Sequence, residues 1–328
     1  MIKYATIGTS WITESFIGGA KATGKLELCA VYSRNEEKGK AFAKKYGCDK
    51  VYTDLSALVK DPQITAVYIA SPNALHFEQS KLCLENNKHV ICEKPITVEP
   101  WELEELIAIA NKNNLVLMEA LMAMHLPALK ALEVAIKRIG KISHARFDFS
   151  QRSTKYDSLM SGNLENIFDP KMATGSLMDI GIYCVYPAVH FFGQPKNTKS
   201  VCNKLWTNID GNGQSIFEYE DFSVSLTYSK IADSQIGSEI AGDGGTIVIP
   251  SISKLTNMKL ILKGGTEEPL SAEQDKPTLM SYEANDFADY IENYPQYKDD
   301  VQKLLDLALK VSRLLKTMRQ DAGIEFNI

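Results

Sequence analysis

Residues 3–12, Lys-Tyr-Ala-Thr-Ile-Gly-Thr-Ser-Trp-Ile, place a short, mostly apolar run directly before a glycine and a polar turn. The run Lys3–Gly8 is typical of a buried strand, and the residues after it predict the start of a helix. α/β folds bind phosphate groups at such a first strand–helix turn, on the free N–H groups of the helix. Ser10 and Thr13 replace two glycines of the G-x-G-x-x-G pattern, so a turn without a ligand is the alternative.

Short apolar runs and helical patterns continue to alternate up to residue 120. The further predicted strands are Leu26–Ser33, Lys50–Tyr52, Ala66–Ser71, His89–Cys92 and Val116–Ala120, and the helical segments are Glu36–Tyr46, Ala74–Asn86 and Trp101–Asn113. Strand–helix alternation of this kind predicts a parallel sheet with helices on both faces.

The pattern changes in the second part of the chain, where polar and apolar residues alternate along most strand candidates. These candidates are Lys141–Arg152, Ser200–Trp206, Ser215–Tyr219, Phe222–Lys230, Ser234–Gly242 and Thr246–Ile249, with helical segments at Leu177–Phe192 and at Tyr282–Met318, the latter broken near Pro295. We therefore predict an α/β chain with two domains. Residues 1–122 form an N-terminal Rossmann dinucleotide-binding domain, and residues 123–328 form a C-terminal α+β domain with a large, mainly antiparallel, open-faced sheet. The C-terminal helices are allowed to pack back on the first domain.

Composition excludes several classes of protein. The 328 residues carry 36 Lys and Arg against 41 Asp and Glu, a net charge of −5, which argues against a nucleic-acid partner. Apolar runs fall short of the ~18 residues of a membrane span, and the N-terminus does not resemble a signal peptide, so we expect a cytoplasmic protein without a membrane partner. The six cysteines form neither C-x-x-C pairs nor a zinc-type cluster, which predicts reduced thiols and no metal site.

The end of the second strand bears on the type of dinucleotide. Ser33 and Arg34 stand where NAD-binding sites carry an acidic residue, and the first carboxylate is Glu36. A serine hydroxyl and a guanidinium suit a 2′-phosphate, which favours NADP over NAD. A site of dual specificity is one alternative; in another, Ser33 caps the next helix and Arg34 is merely solvated.

Two further strand ends carry unusual residues. Ser71-Pro72-Asn73 closes the fourth strand and is followed by His76, whereas Glu93-Lys94-Pro95 follows the fifth. The carboxyl ends of parallel strands line the ligand crevice of an open α/β sheet. A partly desolvated lysine amine there can work as an acid/base, although a solvated loop lysine is the plain alternative.

These motifs together resemble the Gfo/Idh/MocA family, named after glucose–fructose oxidoreductase and inositol dehydrogenase. The degenerate glycine turn, S-P-N-x-x-H, E-K-P and the later Asp179-Ile180-Gly181-Ile182-Tyr183 occur in the order that this family shows. Tyrosine in place of histidine at residue 183 resembles the dihydrodiol dehydrogenase and glucose–fructose oxidoreductase branch. The resemblance spans nearly the whole chain.

The resemblance implies an NAD(P)-dependent oxidoreductase that moves hydride between nicotinamide and a secondary alcohol or ketone of a sugar, polyol or cyclic diol. It implies Lys94 as acid/base, Tyr183 as its hydrogen-bonding partner or alternative, and Asp179 as the orienting carboxylate. The expected cofactor-binding residues are Gly8, Ser10, Trp11, Ile12, Ser33, Arg34, Ser71, Pro72, Asn73, His76, Glu93 and Lys94. A non-catalytic sensor of NAD(P) and sugar on the same fold is the alternative function.

The second domain is expected to bind substrate and to form a homodimer or homotetramer through its sheet. The sequence departs from the family pattern at Met124, where relatives often carry arginine. The identity of the substrate therefore cannot be inferred from that of a relative. His125, Arg152 and Tyr156 are the candidate substrate contacts.

Overall fold

The computed structural model describes residues 1–326. The chain divides into two compact units, one formed by Met1–Met122 with Asp275–Leu309, the other by Ala123–Gln274 with the chain from Lys310 onward. The first unit therefore consists of two separate stretches of sequence. That the two units bind cofactor and substrate, respectively, is a prediction of the sequence.

The strands are β1 (Ile2–Ile7), β2 (Leu26–Tyr32), β3 (Val51–Tyr52), β4 (Ala66–Ile69), β5 (His89–Glu93), β6 (Leu117–Ala120), β7 (Ile142–Ser150), β8 (Asn197–Lys204), β9 (Asp210–Glu218), β10 (Ser223–Ser229), β11 (Ser238–Gly242), β12 (Gly245–Ile249), β13 (Lys259–Leu262) and β14 (Glu267–Pro269). The α-helices are α1 (Trp11–Thr23), α2 (Glu36–Lys45), α3 (Leu55–Lys60), α4 (His76–Glu85), α5 (Pro100–Asn113), α6 (Pro127–Ile136), α7 (Tyr156–Met160), α8 (Ile182–Phe192), α9 (Lys276–Glu292) and α10 (Tyr294–Ala322).

The sheet of the first unit is wholly parallel, with the strand order β3-β2-β1-β4-β5-β6. This is the Rossmann order, in which the direction of winding reverses between β1 and β4. Tyr4, Phe16 and Tyr68 fill the core beside these two strands, and the rings of Phe16 and Tyr68 stack at 3.9 Å. The predicted fold class is confirmed for this unit, and the carboxyl ends of β1, β4 and β5 lie at one edge of the sheet.

The sheet of the second unit has eight strands, in the order β14-β13-β12-β11-β7-β10-β9-β8. Its neighbours are antiparallel except β7 and β10, which pair in parallel from Ser223 opposite His144 to Ser229 opposite Ser150. The predicted mainly antiparallel sheet is confirmed. The strands β13 and β14 were absent from the prediction: both are short, with four and three residues, and the edge strand β14 consists of two glutamates and a proline.

Three findings restrict what else the chain contains. Within residues 1–326, no helix is long and apolar enough to cross a membrane. The same residues hold no cluster of three His, Cys, Asp or Glu side chains suited to a metal ion. All six cysteines, each of which lies in the described part, are free thiols.

Candidate active site

The first turn of the Rossmann unit is shaped by Gly8. Its φ of 115° lies in a region that side-chain-bearing residues rarely adopt, and a Cβ atom there would lie 2.6 Å from the carbonyl oxygen of Ala70. Only glycine therefore lets β1 end this close to the chain that leaves β4.

Helix α1 begins directly after this turn. Ser10 is its N-cap in an extended conformation, and the first helical hydrogen bond runs from the Glu14 N–H to the Ser10 carbonyl, at 3.1 Å. The N–H groups of residues 11–13 precede that bond, so the geometry of a helix gives them no acceptor within it. Trp11 is 70% exposed beside them. The turn offers an anion the N-terminus of a helix lined by Ser10, Trp11 and Ile12.

The end of β2 carries the two residues predicted to select NADP. The Ser33 hydroxyl donates to the Asn35 carbonyl at 2.8 Å, and Arg34 is exposed. The α2 N-cap is Asn35, whose side chain accepts from the Lys38 N–H at 2.9 Å. The alternative in which Ser33 caps this helix is therefore wrong. Glu36, the first carboxylate, pairs with Lys40 on the helix surface at 2.7 Å.

The end of β4 is followed by His76, which is fully buried. Its Nδ1 lies 2.8 Å from the Pro95 carbonyl oxygen and its Nε2 lies 2.8 Å from the Ser71 carbonyl oxygen. Both ring nitrogens thus face carbonyl groups of the fold, and contact of this residue with the cofactor stays a prediction. His76 ties the chain after β4 to the chain after β5. The Ser71 hydroxyl is likewise used, because it donates to Gln79 Oε1 at 2.7 Å.

Lys94 lies directly after β5, in a turn held by its neighbours. The Lys94–Pro95 peptide bond is cis. Glu93 accepts a hydrogen bond from the Tyr68 hydroxyl at 2.5 Å, and Glu119 of β6 accepts one from the Ile96 N–H at 2.8 Å. Lys94 therefore stands directly after Glu93 and two residues before Ile96, whose N–H binds the carboxylate of Glu119.

Burial in this turn favours the protonated form of two carboxyl groups, those of Glu93 and Glu119. Burial raises the pKa of Glu119 to about 8, although the Ile96 N–H and the Lys94 ammonium act in the opposite direction. Burial also raises the pKa of Glu93, again against Lys94 and the hydroxyl of Tyr68. Two carboxyls whose protonation is shifted toward neutral pH beside an amine form a group that can store and pass protons.

In the second unit, Asp179 lies in a π-helical turn, Leu177–Gly181, that runs directly into α8. Tyr183 stands one turn further on, and its ring meets the edge of Phe149 with centroids 5.3 Å apart. Asp179 forms an ion pair with Lys230, whose side chain is only 7% exposed. The predicted helix over residues 177–192 is present, but its first turn is wider than an α-helix. Such turns are frequent at functional sites.

The start of this π turn is anchored by Asp210, the first residue of β9. Its Oδ2 accepts from the Leu177 N–H at 2.6 Å, and the residue is fully buried. Burial raises the pKa of this carboxyl to about 7, against the hydrogen bonds that it accepts. A side chain from the sheet thus fixes the backbone on which Asp179 stands.

The candidate substrate contacts lie in the same unit. Arg152 is exposed, pairs with Asp157 at 2.5 Å and lies over the Tyr156 ring at 5.1 Å. His125 is partly buried. Their contact with substrate stays a prediction.

Sequence reasoning missed Lys230, Asp210 and the role of Glu119. Lys230 follows β10 directly, as Lys94 follows β5, so the same strand-end argument applied to the second sheet would have found it. Asp210 carried no such signal, because its partner lies 33 positions earlier in the chain.

Two family profiles match the chain. That of the oxidoreductase family with an NAD-binding Rossmann fold covers residues 2–121, and that of the GFO/IDH/MocA C-terminal domain covers residues 131–248. The scyllo-inositol 2-dehydrogenase (NADP(+)) of Bacillus subtilis (strain 168) is 38% identical over 326 residues, which cover 99% of this chain and 98% of the relative. The chain belongs to the Gfo/Idh/MocA family of oxidoreductases.

Further comparisons agree with this assignment to the Gfo/Idh/MocA family. The trans-1,2-dihydrobenzene-1,2-diol dehydrogenase of Xenopus tropicalis is 29% identical over 269 residues, 79% of each chain. The crystal structure of a 3-ketoreductase from Actinomadura kijaniata with NADP and TDP-benzene shares the fold, with a TM-score of 0.83, 20% identity and 98% of each chain covered. The predicted family, fold class, enzyme class and NAD(P) cofactor are confirmed.

The residues of this Gfo/Idh/MocA chain fit a dinucleotide. A Cβ atom at Gly8 would fill the turn, and the start of α1 presents N–H groups suited to a diphosphate. Arg34 after β2 is exposed, and its guanidinium is a group that suits a phosphate; that it binds the cofactor stays a prediction. Which side chains touch the nicotinamide stays a prediction, with Glu93 and Lys94 at the end of β5 as candidates.

Proposed function

We propose that this protein is an NADP-dependent dehydrogenase that moves hydride between the nicotinamide and a secondary alcohol or ketone carbon of a sugar, polyol or cyclic diol. The observation that carries the proposal is Lys94, placed directly after β5 at the ligand edge of a Rossmann sheet and accompanied by Glu93 and Glu119. A scyllo-inositol dehydrogenase at 38% identity supports the substrate class.

Lys94 is the proposed acid/base. When bound, the nicotinamide accepts the hydride from the alcohol carbon or returns it to the ketone carbon. In the oxidative direction the neutral Lys94 amine takes the hydroxyl proton, so that the C–H pair leaves as hydride and a carbonyl forms. In the reductive direction the ammonium returns that proton to the oxygen. Only the ionised form of Glu93 or Glu119 can receive the proton from Lys94, and burial raises the pKa of both carboxyls toward that of a proton carrier near neutral pH.

Asp179 and Tyr183 are proposed to act on the same substrate. Their placement in the π turn and the first turn of α8 gives a carboxylate, which accepts a hydrogen bond from a hydroxyl, and a phenol, which donates one or accepts one. In this proposal Tyr183 supports Lys94 at the reacting oxygen, and Asp179 orients a hydroxyl of the substrate.

The test is a turnover assay on the purified protein. NADPH binding is followed by its fluorescence, and NADPH formation by absorbance with scyllo-inositol, myo-inositol, D-glucose, levoglucosan and a trans-dihydrodiol as substrates. We expect saturable binding and turnover with at least one polyol, sugar or diol. Binding without turnover across the panel would count against the proposal and favour a regulatory protein.

Arg34 is proposed to select NADP. Arg34→Leu is expected to raise the KM for NADP⁺ by about tenfold or more and to change the KM for NAD⁺ by less than about twofold, because only NADP carries the 2′-phosphate that pairs with a guanidinium. Steady-state kinetics with both cofactors measure this. Lys38→Leu, on the exposed surface of the neighbouring helix, is the matched control. Equal effects of Arg34→Leu on both cofactors would show that Arg34 does not read the phosphate.

We also propose that the protein forms a homodimer or homotetramer through the sheet of the second unit. Val201 of β8 and Ile216 of β9 are apolar and largely exposed there, which supports pairing of this face with a second copy.

A further inference from the structure

Lys230 is a buried lysine in the second unit that has no role in the sequence-based prediction. It follows β10, and its backbone is held on both sides. Its N–H donates to the Gly211 carbonyl at 2.9 Å, and its carbonyl accepts from the Ser153 N–H at 2.8 Å. The root of the side chain is therefore fixed by the sheet, and the ammonium reaches only a limited region.

The Lys230 ammonium lies against the Asp179 carboxylate. The lysine side chain is 7% exposed and the aspartate 27% exposed, and Nζ donates directly to Oδ2. Taking an ammonium out of water is unfavourable, and an ion pair in this setting adds little net stability relative to apolar side chains. Stability alone is therefore a poor explanation for a lysine at this position.

The backbone around Asp179 is fixed by the neighbouring strands β9 and β10. The Tyr228 ring, two residues before Lys230, packs directly on Gly181 of the π turn. Asp210 holds the other end of the turn through the Leu177 N–H. The main chain at Asp179 is thus set by β9 and β10, and Lys230 sets the direction of the carboxylate itself.

We propose that Lys230 is a positioning residue for Asp179, holding the carboxylate in one orientation so that it accepts a hydrogen bond from a substrate hydroxyl. This inference rests on the proposed function, because it takes Asp179 as a substrate contact. Lys230 touches Asp179 and acts through it.

The test compares Lys230→Met, Lys230→Arg, Asp179→Asn and the double variant Lys230→Met/Asp179→Asn in steady-state kinetics with the polyol or sugar at saturating NADP⁺. Lys230→Met is expected to lower kcat/KM for the polyol or sugar by about tenfold or more, with the KM for NADP⁺ changed less than about twofold. Lys230→Arg keeps the charge and is expected to recover part of this loss. In the Asp179→Asn background, Lys230→Met is expected to change kcat/KM by less than about twofold.

Lys196→Met, which removes an exposed lysine paired with Glu220 in the same unit, is the control and is expected to behave as wild type. Losses that multiply in the double variant would overturn the proposal, because Lys230 would then act independently of Asp179. Wild-type kinetics for Lys230→Met would overturn it too.

A crystal structure of Lys230→Met supplies a readout that needs no substrate. The Asp179 carboxylate is expected to leave its present orientation, while the main chain of the π turn stays in place. An unmoved carboxylate contradicts the proposal even if the wild-type enzyme turns over none of the panel. If the wild-type enzyme turns over none of the panel, the proposed function fails. The positioning role of Lys230 is then decided by whether the Asp179 carboxylate moves in the Lys230→Met structure.

Discussion

Lys94→Ala is expected to lower kcat by about a hundredfold or more while the dissociation constant for NADPH changes less than about threefold. Positioned acid/base groups contribute about 10²- to 10⁴-fold to rate, and methyl in place of the amine leaves no group at this point that can exchange a proton with a hydroxyl. Steady-state kinetics at several pH values and a fluorescence titration with NADPH measure the two quantities.

Two variants accompany Lys94→Ala. Lys112→Ala removes an exposed lysine near the end of α5 in the same unit and is expected to leave kcat unchanged. Tyr183→Phe separates the two candidate acid/base groups, since a loss smaller than that of Lys94→Ala leaves the lysine as the main one. Near-normal turnover of Lys94→Ala would remove Lys94 from the mechanism and transfer the role to Tyr183.

Gly8→Ala is expected to abolish measurable NADPH binding or weaken it by more than about tenfold, and to lower the melting temperature by several degrees. Two costs combine in this variant. A φ of 115° strains any residue with a Cβ atom, and that atom would lie 2.6 Å from the Ala70 carbonyl oxygen, part of a backbone whose own N–H is bonded to Ile7. Relief requires the first turn to move, and the anion site at the start of α1 moves with it.

Gly24→Ala is the matched control for this strain. Gly24 also has a positive φ, 68°, but nothing lies within 4 Å of the position that its Cβ atom would take. It is expected to cost about 1 kcal/mol of unfolding free energy and to leave NADPH binding intact. Thermal unfolding and fluorescence titration of both variants separate the effect of the positive φ angle, which both glycines share, from that of the close contact with Ala70, which only Gly8 has. If Gly8→Ala costs no more than Gly24→Ala, the close approach to Ala70 is unimportant.

The Rossmann unit could be predicted because its strands are buried on both faces. Ala66–Ile69 and His89–Glu93 are short, mostly apolar runs with a helical pattern between them. Such an alternation is typical of buried parallel strands. The strand-end position of Lys94 follows from the same pattern. Helix α3 was missed because Leu55–Lys60 is little more than one turn, and Pro127–Ile136 was missed beside the predicted domain boundary.

What could not be predicted depends on contacts between distant residues. The pairing of Asp179 with Lys230 joins positions 51 apart, and the parallel pairing of β7 with β10 joins strands with two others between them in sequence. His76 shows a different limit. A histidine whose ring nitrogens both face carbonyl oxygens inside the fold and one that faces a ligand look alike in sequence, since only burial separates them. The roles of the catalytic and cofactor-binding residues stay predictions.

The first unit has a consequence for how the chain is made. Helix α9 belongs to that unit and packs against α1, and Lys25, just after α1, pairs with Asp289 of α9 at 2.5 Å. About 150 residues, 123–274, are synthesised between these two parts. At about 5–20 residues per second, the ribosome adds the missing helix roughly 8 to 30 s after the nascent Rossmann strands are complete. During that interval the face of α1 that α9 covers is open to water and to chaperones, and a fragment cut at residue 122 keeps that face open permanently.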